Sequence, residues 1–277
     1  MENFLERMSC ASRERATNAA RHVPLPQIIA RAESAPAPLP LRLHEFDLIA
    51  ELKLRSPAMG DLAKANFDPN AQLDAYAAGG AAAVSVLTEP EAFKGELAHL
   101  QNAAMRLRPA GVGVMRKDFL VDSYQVIEAR AHGASGVLLI AAMLDDAALT
   151  DLLATAQSLG LFVLIEAFDA EDLERIARLG FDTDRSTVLV GVNSRNLKTL
   201  AVDFERFQAL ANQIRDDVPA VAESGIESPA DIEAVARYGY RLALVGGALM
   251  RQDATATAVA QFITAGRSAR KEMAACS

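Results

Sequence analysis

The chain has 277 residues, 51% hydrophobic and 23% charged, a balance that can bury a full core and excludes a disordered or low-complexity protein. Its formal net charge of −8 provides no basic field for nucleic acid or an anionic membrane, so cations that meet an anionic ligand must be gathered locally. No apolar run approaches the roughly 18 residues of a membrane span, and the scattered histidines with Cys10 and Cys276 offer neither metal-ligand spacing nor a disulfide framework.

The chain opens with MENFLERMSCASRERATNAARH, a charged amphipathic pattern without the apolar centre of a signal peptide, which points to a cytoplasmic protein. Residues 32–46, AESAPAPLPLRLHEF, are Pro-rich and read as an extended connector. The expected division is therefore 1–46, N-terminal helix and connector, and 47–277, one folded body. From residue 47 short apolar runs recur: LIAELK, AAVSVLT, VGVMRK, GVLLI, LFVLIE, TVLVGVN, PAVAES and LALVGG. Their starts lie roughly 23 to 35 residues apart, the spacing of repeated β-α units.

Helical patterns fill the gaps. Asp68 reads as an N-cap, Pro69 as the first helical residue and Gly79 as a stop; Gly133 and Gly180 close two further helices. Near-continuous apolar strands alternating with helices imply a parallel sheet covered by helices. Eight units favour closure into a single (β/α)8 TIM barrel with an N-terminal helical extension. The GxGxxG turn that would favour an open sheet does not follow the first strand.

In such a barrel the site lies at the C-terminal ends of the strands, and residues two apart on a strand share a face. Glu51 and Lys53 therefore share one face at the end of the first strand. Lys117 is in phase with Gly113 and Met115, and Glu166 with Phe162 and Leu164. Asn193 and Arg195 share a face, and Glu223, Ser224 and Gly225 end the seventh run. One charge at a strand end is ordinarily a solvated rim residue, and Arg116 with Asp118 reads as a structural ion pair pointing outward. Five strand ends carrying three carboxylates, two lysines, an arginine and an amide read instead as a functional cluster. Gly225, Gly246 and Gly247, after the last two strands, would let backbone N–H groups approach a phosphate.

The segments IAELKLRSP, FDPNAQLDAYAAGGAAAVSVLTE, FKG, RKDFLVDSYQVIEARAHGASGVLLI, GVNSRNLKTL, ESGI and LVGGALMR together resemble the indole-3-glycerol phosphate synthase family. The likeness spans about residues 47–251. It implies a (β/α)8 lyase of tryptophan biosynthesis. Its substrate would be 1-(2-carboxyphenylamino)-1-deoxyribulose 5-phosphate, converted to indole-3-glycerol phosphate with loss of CO2 and water. It further implies Lys117 as the acid on the ribulose carbonyl, Glu166 as the carboxylate facing the cationic intermediate, and Lys53 with Glu51 in the dehydration, Lys53 being also a candidate phosphate contact; which of the four serves each proton step stays open on the residues alone. Ser56, Asn193, Arg195, Glu223 and Ser224 would contact substrate, Phe119 and Leu197 would wall the aryl ring, with Phe119 reading equally as plain core, and Gly225, Gly246 and Gly247 would cradle the phosphate. No cofactor or metal is expected, because the closed ring is its own electron sink. The expected partner is the phosphorylated small molecule alone, not nucleic acid or membrane, with the chain a monomer or weak homodimer.

The resemblance is incomplete in the first loop. The family's segment runs close to S-P-S-K-G with a basic residue after the motif lysine, whereas this chain has Ser56-Pro57-Ala58-Met59-Gly60 and Leu54. Gly247 stands where Ser is common, and Glu96 where Ser often follows FKG. Two further readings stay open on the residues alone. One is a paralogue closing the same ring on a modified arylamine; the other is a silent phosphate-binding barrel subunit.

Overall fold

Eight parallel strands close on one another in the structure, a computed structural model that describes residues 4–57, 60–62, 66–179, 187–196 and 201–276. They are β1 (Asp47–Leu52), β2 (Ala83–Leu87), β3 (Gly113–Lys117), β4 (Gly136–Ile140), β5 (Phe162–Ala167), β6 (Val188–Asn193), β7 (Ala220–Glu223) and β8 (Leu242–Val245). Each pairs with the next, and β8 pairs back to β1. The expected (β/α)8 barrel is present, and the eight runs read from the sequence are its strands. Outward side chains such as Val84, Val114, Val163 and Val190 pack under the helices. Inward ones, including Ile49, Met115, Leu164, Val221 and Leu244, fill the barrel itself.

Register sets the height of each inward residue. Glu51 pairs with Ser85 and Ser85 with Met115; Leu138 pairs with Leu164, Glu166 with Gly191, and Glu223 with Leu244. In a barrel of eight strands and shear 8, one level across the axis advances about one residue per strand. Stepping round from Glu51 meets Lys117 on β3, Glu166 on β5 and Glu223 on β7, and returns to Glu51 on β1. The topmost layer contributed by the odd strands is thus entirely ionisable.

Helix chemistry follows the sequence closely. Asp68 accepts from the Asn70 backbone N–H and Pro69 opens α3 (Pro69–Ala78). The helix stops at Gly79 as read: that residue is its C-cap at a φ of −75°, and Gly80 takes the left-handed turn at +89°. Gly79 is required for another reason, since a Cβ there would overlap Val259 and the Ala256 carbonyl. Gly133 is left-handed after α6 (Ser123–Ala131), as read. Gly180 lies outside the described residues.

Two helices precede the barrel, α1 (Phe4–His22) and α2 (Leu25–Ser34), separated at Val23-Pro24 because proline cannot continue a helix but starts one well. The Pro-rich connector therefore begins after Ser34. Backbone groups in its first part are held by the body: Arg130 donates to the Ala35 carbonyl, Arg108 to that of Ala37, and Leu39 N–H to Ser135 Oγ. After β1 the chain makes a small antiparallel ribbon, Arg55–Ser56 against Gly60–Asp61, which the sequence did not suggest.

Candidate active site

Glu51, Lys53, Lys117, Glu166 and Glu223 meet at the C-terminal mouth of the barrel. Lys117 Nζ lies 3.1 Å from Glu166 Oε2 and 3.4 Å from Glu223 Oε2, while Lys53 forms an ion pair with Glu51. The carboxylates are buried to within 3% exposure, yet Lys53 and Lys117 keep 21% and 16% of their side chains open. The cations are therefore the groups that an incoming ligand reaches.

Two glycines make this crowding possible. A Cβ at Gly191 on β6 would collide with Glu223 Oε1, and one at Gly246 would collide with Glu51 Oε1. Gly246, read from the sequence as a phosphate residue, thus also houses a carboxylate.

Burial works against a charge on Lys117, but Glu166, Glu223 and Glu51 outweigh it and hold the ammonium above the usual lysine range. Glu223 moves the other way for a carboxyl. Burial and the adjacent Glu166 push it well above the usual range, and Lys117 only partly opposes them. Lys117 therefore holds its proton more tightly than a free lysine, and Glu223 takes one up more readily than a free carboxyl.

Above this layer, Asn193 Oδ1 accepts the Arg195 backbone N–H at 2.9 Å, which fixes the amide's orientation. Ser194 Oγ donates to the Ser224 carbonyl at 3.0 Å and ties the end of β6 to the loop after β7. Ser224 and Gly225 are both left-handed, with φ of 68° and 73°. A non-glycine residue in that region is uncommon and costs strain, and here it turns the backbone at the mouth. Gly246 and Gly247 begin α11 (Gly247–Met250), a single turn.

Phe119 stands edge-on to Phe4 of α1, with ring centroids 5.8 Å apart, and 6.1 Å from Phe93. It is held by its neighbours on both sides: its N–H donates to Asp118 Oδ1, and its carbonyl accepts from Ser12 Oγ of α1. Arg116 faces out into the helix layer, as read, donating to Glu128 and the Gln125 carbonyl. Asp118 does more than pair with it: it borders the mouth and also receives Arg15 of α1.

One cavity is lined by Glu51, Lys53, Ser56, Lys117, Phe119, Glu166, Asn193, Arg195, Glu223, Ser224, Gly225, Gly246 and Gly247. Leu197, Ala58 and Met59 lie outside the described residues. The cavity also takes in Phe4, Phe93, Leu138 and Ile140, which the sequence reading did not select. The two β4 residues were readable, being in phase at the end of GVLLI, and Phe93 belongs to the FKG segment. Phe4 gave no local signal, since only tertiary packing brings it to the mouth. Among the described residues no group of His, Cys, Asp and Glu could hold a metal ion, and no helix is long and apolar enough to cross a membrane.

A closed eight-stranded barrel with lysines and glutamates in its top layer defines a (β/α)8 enzyme with an acid–base centre at the strand ends. The family model for indole-3-glycerol phosphate synthase matches residues 10–262, and the chain belongs to that family. Synthases of that name are similar along most of their length. The protein from Nocardioides sp. is 46% identical over 246 residues, covering 88% of this chain and 90% of its own. That from Mycolicibacterium gilvum is 43% identical over 258 residues, with 91% of each chain covered. That from Parafrankia sp. is 42% identical over 272 residues, with 96% of each covered. Solved barrels share the fold alone. A 3-hexulose-6-phosphate synthase from Salmonella typhimurium matches with a TM-score of 0.60 at 13% identity, over 81% of this chain and 100% of its own. A thiamine phosphate pyrophosphorylase from Pyrococcus furiosus gives 0.59 at 15%, over 81% and 97%.

Proposed function

We propose that this chain closes the indole ring of 1-(2-carboxyphenylamino)-1-deoxyribulose 5-phosphate, yielding indole-3-glycerol phosphate, CO2 and water. The observation that carries the reading is Lys117, a partly open ammonium held between Glu166 and Glu223 at the end of β3. Ring closure forms a bond from the aryl carbon bearing the carboxylate to the ribulose carbonyl carbon. The carbonyl oxygen takes a proton as its π electrons move onto it, and a lysine kept protonated by three carboxylates can supply that proton. The ring becomes cationic as the bond forms, and Glu166 offers the opposite charge. Breaking the bond to the carboxylate returns its electron pair to the ring and releases CO2. The hydroxyl then leaves as water, taking a proton from an acid, and a ring proton passes to a base; Lys53 and its partner Glu51 serve this step.

The remaining groups place the substrate. Asn193 and Arg195 hold its hydroxyl and carboxylate groups with Ser56, Glu223 and Ser224. Phe119 walls the aryl ring, with Leu197 as a further wall. Gly225, Gly246 and Gly247 present backbone N–H groups to the phosphate. Every acid and base needed is a side chain of this chain, so the reading calls for no cofactor.

The test is direct. Purified protein given this substrate, with no added metal or nucleotide, should develop indole fluorescence. Complete inactivity of a folded, phosphate-binding preparation would sink the proposal.

A further inference from the structure

Directly beneath the charged layer, the inward residues of the even strands are Ser85, Leu138, Gly191 and Leu244. Ser85 is the polar member of that floor. It is fully buried, and its hydroxyl has no hydrogen-bond partner among the described residues. Its register partner on β1 is Glu51. Paired strands lie about 4.8 Å apart and register partners point to the same face, so the two side chains enter the barrel next to each other.

Glu51 commits Oε1 to Lys53, while Oε2 is buried with no hydrogen-bond partner among the described residues. A hydroxyl and a carboxylate oxygen that are buried and unbonded each bear a desolvation cost. One enclosed water, which ordinarily makes two to four hydrogen bonds to buried polar groups, would relieve both costs.

We propose that Ser85 is a positioning residue for Glu51, acting through one enclosed water that bridges Ser85 Oγ and Glu51 Oε2. The bridge fixes the rotation of the carboxylate, keeping Oε1 on Lys53. The glycine at 246 leaves Oε1 the space to be there. Ser85 never touches substrate; it determines whether the Glu51–Lys53 pair is set for dehydration. This inference rests on the role given to that pair above.

Ser85→Ala tests it. Losing a hydrogen bond to a charged group corresponds to about a tenfold or greater fall, so kcat should drop about tenfold while KM for the phosphorylated substrate stays within about twofold. The melting temperature should fall by no more than a few degrees, because one hydrogen bond to the water is lost while the water keeps its bond to Glu51. Ser85→Thr, which keeps the hydroxyl, should restore most of kcat. In a Glu51→Gln background the Ser85→Ala effect should shrink, since the residue acts through that carboxylate. A high-resolution crystal structure should place an ordered water on both oxygens. Wild-type kcat in Ser85→Ala, an undiminished effect in the Glu51→Gln background, or a Ser85 hydroxyl bonded to a backbone carbonyl would overturn the inference. No turnover by the unmodified chain would instead overturn the reading it rests on, and this assignment with it.

Discussion

Lys117 is an ammonium with three carboxylates around it, a surplus of negative charge that no structural ion pair needs. Removing one partner of a buried pair is ordinarily destabilising, because the other charge is left unpaired. Here Glu166 and Glu223 lie together, and Glu223 can accept a proton, so the layer has its own means of neutralising itself. Lys117→Ala should therefore fold and melt near the unmodified chain while losing about 100-fold to 10,000-fold in kcat, the ordinary cost of deleting a general acid. Steady-state kinetics alongside a melting curve check both halves. Near-normal turnover would remove Lys117 from the mechanism.

Two of the departures from the family's sequence pattern fall at helix starts. At the start of α5 (Leu97–Leu107), Glu96 has the extended backbone of an N-cap, φ −147° and ψ 150°, but its side chain makes no cap hydrogen bond. Serine in this geometry gains about 1 kcal/mol from the cap bond, against about 0.3 kcal/mol lost with the exposed charge near the helix N-terminus. Glu96→Ser should thus stabilise the protein by roughly 0.7 kcal/mol, read as a higher denaturant midpoint at unchanged slope. At α11, Gly247→Asp would place bulk and negative charge where the phosphate is proposed to bind. The expected result is a raised KM for the phosphorylated substrate and loss of the thermal protection given by inorganic phosphate. Retained protection would move the phosphate elsewhere.

At this scale the sequence was informative wherever a local period governed the outcome. Lys117, Glu166 and Asn193 were readable because alternation along a strand decides which side chains enter the barrel, and Asp68-Pro69 because capping is local chemistry. The ribbon at Arg55–Ser56 was not, since two-residue strands carry no periodicity. Gly246 was readable as a glycine near an anion but not as the space for Glu51, a relation between β1 and β8 that arises only on closure. Phe4 reaches Phe119 for the same kind of reason, across more than a hundred residues of chain.

For the whole molecule the site is a place where stability and chemistry oppose each other. An acidic protein of net charge −8 gathers Glu51, Glu166 and Glu223 into one layer of its barrel, and the two lysines there are outnumbered. Linkage gives the sign of the cost. Lys117 has its folded value raised, so its contribution is fully present below the ordinary lysine range and is lost only as pH rises through the higher folded value. It leaves stability near neutrality untouched. Glu223 is a carboxyl whose folded value is also raised, so the native state holds a proton that the unfolded chain releases above about pH 4.5. From there upward the unfolded chain binds fewer protons than the native one, and Glu223 subtracts from stability until the raised folded value is passed. Glutamine keeps the shape of the protonated acid and cannot ionise. Glu223→Gln should therefore differ little from the unmodified chain at pH 4, become the more stable of the two as pH rises, and then hold a constant margin. Urea denaturation of both proteins across pH 4 to 9 measures this directly. A margin that shrank with rising pH would mean that the folded value of Glu223 is lowered, with Lys117 outweighing burial and Glu166.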